Sequence, residues 1–281
     1  MSVRTTTRRR QLGAMMRKLR ARRGLTLEEA GALVGVSKAT VSRYETQAGP
    51  VKWLVVDALC REYSATDAER RAVVGLAKDV KQQGWWHSLT DSIPETMNLL
   101  LTLEDEAVRE DHFSCVYVPG LLQTRSYSTA LQQANEIRLA PAEIARLVDI
   151  RMRRQDILRR AAPPHLWAVL DESVIRRIVG SPTVMREQLG RLLEANESPH
   201  ITLQVLPFSK GAHGAAMGSF LIIGGAEPSL DVVYVDYHTG SLFLEQEGEL
   251  ERYRLAFDYL RAQALDMEAS SRLIQDVRKE L

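Results

Sequence analysis

The sequence predicts two dissimilar domains in tandem: an all-α domain over residues 1–83, then an α+β domain with a mostly antiparallel sheet over residues 84–281. Three observations predict this. Apolar positions at helical spacing, with two Thr-x-x-Glu capping boxes, fill the first part of the chain. Short β-branched and aromatic runs separated by turn residues begin only at Phe113. Charge divides as well: residues 1–64 hold thirteen Lys and Arg against five Asp and Glu, a net +8, and the remainder holds twenty-four against thirty-one, a net −7. Such asymmetry suits a nucleic-acid-binding unit attached to a separately functioning body.

Five helices account for the first domain. Arg4 and Arg8 to Arg10 make a basic N-terminal arm, open to two readings, a contact to DNA phosphates or a disordered tail. A first helix over 9–22 turns Leu12, Met15, Met16 and Leu19 inward. Thr26 and Glu29 form a capping box that starts a second helix at Leu27, with Leu27, Ala30, Leu33 and Val34 on its buried face. Gly35 supplies the turn, since glycine takes the left-handed conformation without steric cost. Ser37 then caps a third helix, 38–46, with Val41 and Tyr44 inward and Lys38, Ala39, Thr40 and Arg43 outward. Two short helices joined by a Gly-containing turn are the geometry that lays the second helix in the major groove of double-stranded DNA. Many all-α proteins contain the same pattern, and the local net charge is what favours DNA here. A fourth helix, 51–63, places Trp53, Leu54, Val56, Leu59 and Cys60 at apolar positions, Trp53 as core packing. Thr66 and Glu69 open a fifth helix to about Lys81, and Gly84 with Trp85 and Trp86 marks the domain boundary.

Residues 11–63 resemble the helix-turn-helix domain of XRE-type regulators, through Leu12-Gly-x-Met-x-Arg-x-Leu-Arg and the continuous GLTLEEAGALVGVSKATVSRYE of 24–45. The resemblance implies a five-helix bundle that binds DNA as a dimer and reads bases with Lys38, Ala39, Thr40 and Arg43. It also implies an ion pair between Arg20, late in the first helix, and Glu45, which closes the third. Two departures are present. Leu27 stands where many members carry a backbone-contacting Gln, and the loop 46–51 has no cation. Phosphate contacts therefore fall to Arg17, Arg20, Ser42, Lys52 and the arm, with Arg20 withdrawn if Glu45 holds it.

The second domain opens with a helix over 94–110 carrying Met97, Leu100, Leu101 and Leu103. Strand-like runs follow at 113–119, 166–172, 201–207, 219–225, 231–237 and 241–245, with helices at 121–135, 141–160 and 182–196 between them and two more, 249–263 and 266–279, at the end. The last four runs lie close together, so an antiparallel meander with helices to one side is expected. The strings VPGLLQT at 118–124, Arg151-x-x-Arg-Gln, Glu187-Gln-Leu, Gln204-Val-Leu-Pro-Phe and Val233-Tyr-Val-Asp resemble the C-terminal region of WhiJ-like regulators, and the resemblance spans nearly the whole chain. These are XRE-type transcription factors abundant in filamentous actinobacteria, often encoded beside a small partner protein and in some cases called antitoxin-like. For VPGLLQT itself a structural reading is favoured: Pro119-Gly120 turns the chain and Leu121 and Leu122 begin a buried helix.

Enzyme chemistry finds no support. The six His residues (87, 112, 165, 200, 213 and 238) show no metal-ligand spacing and nothing reads GxSxG, so no catalytic, cofactor or metal site is expected. Glu104, Asp105 and Glu106 read as an exposed helical face, and 211–218, GAHGAAMG, as a loop lacking the Lys-Ser/Thr of a phosphate loop. Cys60 and Cys115 read as buried free thiols, which fits a reducing cytoplasm, and no apolar run is long enough to span a membrane. The expectation is a cytoplasmic, homodimeric DNA-binding regulator, nucleoid-associated when bound. Its C-terminal domain dimerises and binds a small protein partner or, alternatively, a small-molecule effector.

Overall fold

Three of the expected helix starts in the first domain, those after Thr26, Ser37 and Thr66, are realised by side-chain capping. In the computed structural model, residues 7–46, 51–79, 95–135, 139–215, 218–225, 231–238 and 240–281 are described. They fall into two compact units, Met1–Glu106 and Ala107–Leu281. The first contains α1 (Thr7–Arg22), α2 (Leu27–Leu33), α3 (Lys38–Thr46), α4 (Trp53–Glu62), α5 (Asp67–Asp79) and α6 (Glu95–Asp105). The boundary tryptophans, Trp85 and Trp86, lie outside the described residues, as does Arg4; Arg8 to Arg10 fall within α1.

Leu12, Met16 and Leu19 from α1 pack with Ala30, Val41, Tyr44, Val56, Leu59, Cys60, Tyr63, Val73 and Ala77 in one core. Both capping boxes form, with Glu29 N–H donating to Thr26 Oγ1 and Glu69 N–H to Thr66 Oγ1, each at 3.2 Å. Glu69 also receives Arg22 from α1 at 2.7 Å, which together with the Thr66 backbone bond holds its carboxyl down at about 2. Trp53 departs from expectation. It is 39% exposed and Leu54 65%, because α4 turns Val56, Leu59 and Cys60 inward instead. Glu104 is likewise buried rather than on an exposed face.

The second unit is built on one six-stranded sheet in the order β3-β2-β1-β4-β5-β6. Its strands are β1 (Arg109–Ser114), β2 (His165–Asp171), β3 (Ile201–Leu206), β4 (Phe220–Gly224), β5 (Val232–Tyr237) and β6 (Gly240–Leu244). The sheet is mixed, not mostly antiparallel. β1 pairs β2, and β2 pairs β3, in parallel, while β1–β4, β4–β5 and β5–β6 are antiparallel. The parallel pairs follow from connections long enough to hold helices, which parallel strands require. The expected four-run meander is thus reduced to β4-β5-β6, with β3 at the opposite edge. β1 begins earlier than the apolar run that suggested a strand at 113–119. It is the polar segment REDHFS, and the chain leaves the sheet where Ser114 Oγ donates to Tyr117 C=O.

The connecting helices are α7 (Arg125–Asn135), α8 (Pro141–Arg154), α9 (Glu172–Arg176) and α10 (Pro182–Ala195); α11 (Glu247–Gln263) and α12 (Met267–Glu280) close the chain. One core joins α7, α9, α10 and α12 to Leu166, Ala168, Leu170, Ile201, Leu203 and Val205 on one face of the sheet. The other joins Leu250, Phe257 and Leu260 of α11 to Phe113, Val169, Phe220, Ile222 and Val233 on the opposite face. Asp231, 2% exposed, is held between Arg109 Nη2 at 2.8 Å and Arg254 Nη2 at 3.0 Å.

Candidate nucleic-acid interface

The α2–α3 turn is fixed by its backbone. Gly35 sits at φ +69°, its N–H donates to Ala32 C=O and the next N–H, from Val36, reaches back to Gly31 C=O at 2.9 Å. These two bonds satisfy carbonyls left open at the end of α2. The approach is close enough to demand a second glycine: a Cβ on Gly31 would lie 2.5 Å from Val36 O. Ser37 then caps α3, accepting the Thr40 N–H at 3.2 Å.

α3 buries Val41, Tyr44 and Glu45 and turns Lys38, Ala39 and Arg43 to solvent. Thr40 is half-buried rather than fully outward. Its hydroxyl bonds Ser37 Oγ at 3.0 Å and accepts from Arg43 Nη2 at 3.2 Å. Arg43 also donates through Nε to Ala39 C=O at 3.2 Å. Its guanidinium therefore lies along its own helix, next to the exposed Ala39.

Glu45, 3% exposed, receives Arg20 Nε on one oxygen at 2.6 Å and Nη2 on the other at 2.8 Å, while Arg20 Nη1 donates to Leu25 C=O at 2.6 Å. The bidentate bond, set against desolvation, raises the Arg20 pKa. All three guanidinium nitrogens are thus committed inside the unit, so Arg20 leaves the phosphate-contact set. Arg17 stays in it. It is 59% exposed, donates to Glu45 C=O at 3.3 Å and reaches the carboxylate only at 3.8 Å. Ser42 is half-buried on α3, and Lys52 is exposed just before α4, its backbone N–H donating to Tyr44 OH at 3.3 Å. Of the loop 46–51, residues 47–50 lie outside the described residues.

In the second unit three of the strings singled out from the sequence, those at 118–124, 151–155 and 187–189, converge on one polar core. Gln123 Nε2 donates to Val118 C=O at 2.7 Å, and Arg151 Nη1 donates to Gln123 Oε1 at 2.9 Å. Gln155 Nε2 donates to Gly120 and Gln123 carbonyls; Gln188 accepts Thr124 N–H at 2.7 Å and donates to Leu122 C=O at 2.8 Å. Three buried glutamines thereby satisfy the backbone of the irregular segment 118–124, whose Gly120–Leu122 forms a 3-10 turn. VPGLLQT is a structural element here. Spacing alone hid this, because its partners lie 28 to 66 residues away.

Among the described residues no group of three or more His, Cys, Asp or Glu could hold a metal ion, and no helix is long and apolar enough to cross a membrane. Cys60 is buried and its thiol is pushed up to about 12 by desolvation; Cys115 is only half-buried, and both are free.

Residues 11–73 match a family described as a helix-turn-helix domain, and residues 97–276 match one described as a domain of unknown function, DUF5753. Neither the curated proteins nor the solved structures searched contained a match. The second match covers more than half of the chain, and the chain belongs to that family.

Proposed function

We propose that this protein is a sequence-specific transcriptional regulator that binds double-stranded DNA as a homodimer, with α3 in the major groove. The observation that carries the reading is the solvent-facing row Lys38, Ala39 and Arg43 on a helix locked from behind by the Arg20–Glu45 fork. Arg43 reads a guanine through two parallel N–H bonds, Lys38 and Ala39 contact neighbouring base edges, and Thr40 orients Arg43. Arg17, Ser42 and Lys52 contact phosphates. The helix-turn-helix match over 11–73 supports DNA binding.

The body over 107–281 serves regulation rather than catalysis in this reading. Its motif residues are consumed in holding backbone, and the net −7 outside residues 1–64 favours a small basic protein partner, in keeping with the WhiJ-like, antitoxin-like resemblance. A cytoplasmic location follows from a DNA target. The test is enrichment of binding sites from random duplex DNA by the full-length protein. Two related half-sites about one helical turn apart are expected. Affinity should fall roughly a thousandfold or more between 50 and 200 mM salt if a dimer makes about 6–10 phosphate contacts. No enriched sequence, or a flat salt response, contradicts the proposal.

A further inference from the structure

The two edges of the six-stranded sheet are finished differently. At β3 the outward backbone groups are covered: Leu203 N–H donates to Asn196 Oδ1, Val205 N–H donates to Ser270 Oγ and Val205 C=O accepts from Leu265 N–H, each at 2.9 Å. The start of α12 and the segments beside it close that edge. Among the described residues, no hydrogen bond reaches the backbone of 240–244 beyond its ladder to β5.

β6 also lacks the usual protections of an exposed edge, since Gly240-Ser241-Leu242-Phe243-Leu244 contains no charged residue and no proline. Phe243 packs on its cross-strand partner Tyr234, ring centroids 5.1 Å apart, on one side of the pair. On the other side Leu242 is 48% exposed and Tyr237 50%. Alternate N–H and C=O groups of such a strand point outward, ready to pair.

We propose that β6 is the edge through which two copies of this chain associate, pairing antiparallel about Leu242 so that the sheet continues from one copy into the other. The inference rests on the homodimeric reading above and assigns it a surface. A second copy is the occupant that these residues fit. Antiparallel pairing of identical strands is isologous and closes after two copies, the symmetry that paired half-sites require. Centred on Leu242, it sets that side chain against Leu242 of the second copy, with Ser241 opposite Phe243 and Gly240 opposite Leu244. Apolar groups meet, and no like charges face one another within the strand.

The test is the mass of the full-length protein in solution by sedimentation velocity. Wild type is expected to be a dimer. Leu242→Lys sets two ammonium groups against each other at the axis, so it should weaken the dimer by at least about tenfold while the circular dichroism spectrum of the folded chain stays unchanged. Leu242→Cys, oxidised, should give a covalent dimer on a non-reducing gel where wild type gives none. It decides the matter should the lysine variant fail to fold. A wild-type dimer that persists in Leu242→Lys, with no cross-link in Leu242→Cys, overturns the β6 assignment and leaves the dimeric reading standing. A wild type that is monomeric both free and on DNA overturns both.

Discussion

Arg20 and Glu45 face each other through two parallel bonds, Nε to Oε1 at 2.6 Å and Nη2 to Oε2 at 2.8 Å. The pair ties the last turn of α1 to the last turn of α3, so the orientation of α3 is set by a carboxylate that is 3% exposed. Removing the acid strands a guanidinium that is only 16% exposed. Glu45→Ala should therefore cost about 1–3 kcal/mol of stability in the first unit. Chemical denaturation followed by circular dichroism reads this directly, and an unchanged midpoint would show that the pair adds nothing.

Gly31 sits inside α2, where alanine would normally stabilise a helix by up to about 1 kcal/mol. Here the added Cβ would meet Val36 O at 2.5 Å and Ser37 C at 3.2 Å, both backbone atoms that cannot swing away. The clash should win. Gly31→Ala is expected to lose about 1–3 kcal/mol and to weaken DNA binding by displacing the start of α3. A raised melting temperature with unchanged affinity would contradict the close packing of this turn.

What the sequence made legible divides along physical lines. Helix starts are local events: Thr26 with Glu29, Thr66 with Glu69 and Ser37 with Thr40 sit three residues apart, and all three form as expected. Sheet order is not local. β1 opens with four charged or imidazole side chains, so only Phe113 and Ser114 fell within the expected strand although the segment pairs both β2 and β4. Within the candidate interface, Lys38, Ala39 and Arg43 emerged on the expected face. The spending of the Thr40 hydroxyl on Ser37 and Arg43 was invisible, because it depends on rotamers and not on spacing.

His112, in the middle of β1, has its pKa lowered to about 3, chiefly by desolvation and then by the charge of Arg154. An unfolded histidine titrates near 6.5. Between those values the unfolded chain takes up a proton that the folded chain refuses, so stability present above pH 6.5 is lost as pH falls toward 3. Unfolding of the second unit should become easier through that window, and His112→Asn should flatten this part of the profile. An identical pH dependence in the variant would mean that His112 is not the group responsible.

The most direct test of the DNA-binding account is fluorescence anisotropy of wild type and Arg43→Ala on an enriched site and on random duplex of equal length. Arg43 contacts Ala39 C=O and Thr40 Oγ1 only through exposed bonds that a base can replace. Arg43→Ala should lose about 1–3 kcal/mol on the specific site, with relaxed preference at one base pair and little change on random DNA. Equal losses on both duplexes would contradict it, reducing Arg43 to a phosphate contact and removing α3 as the reading element.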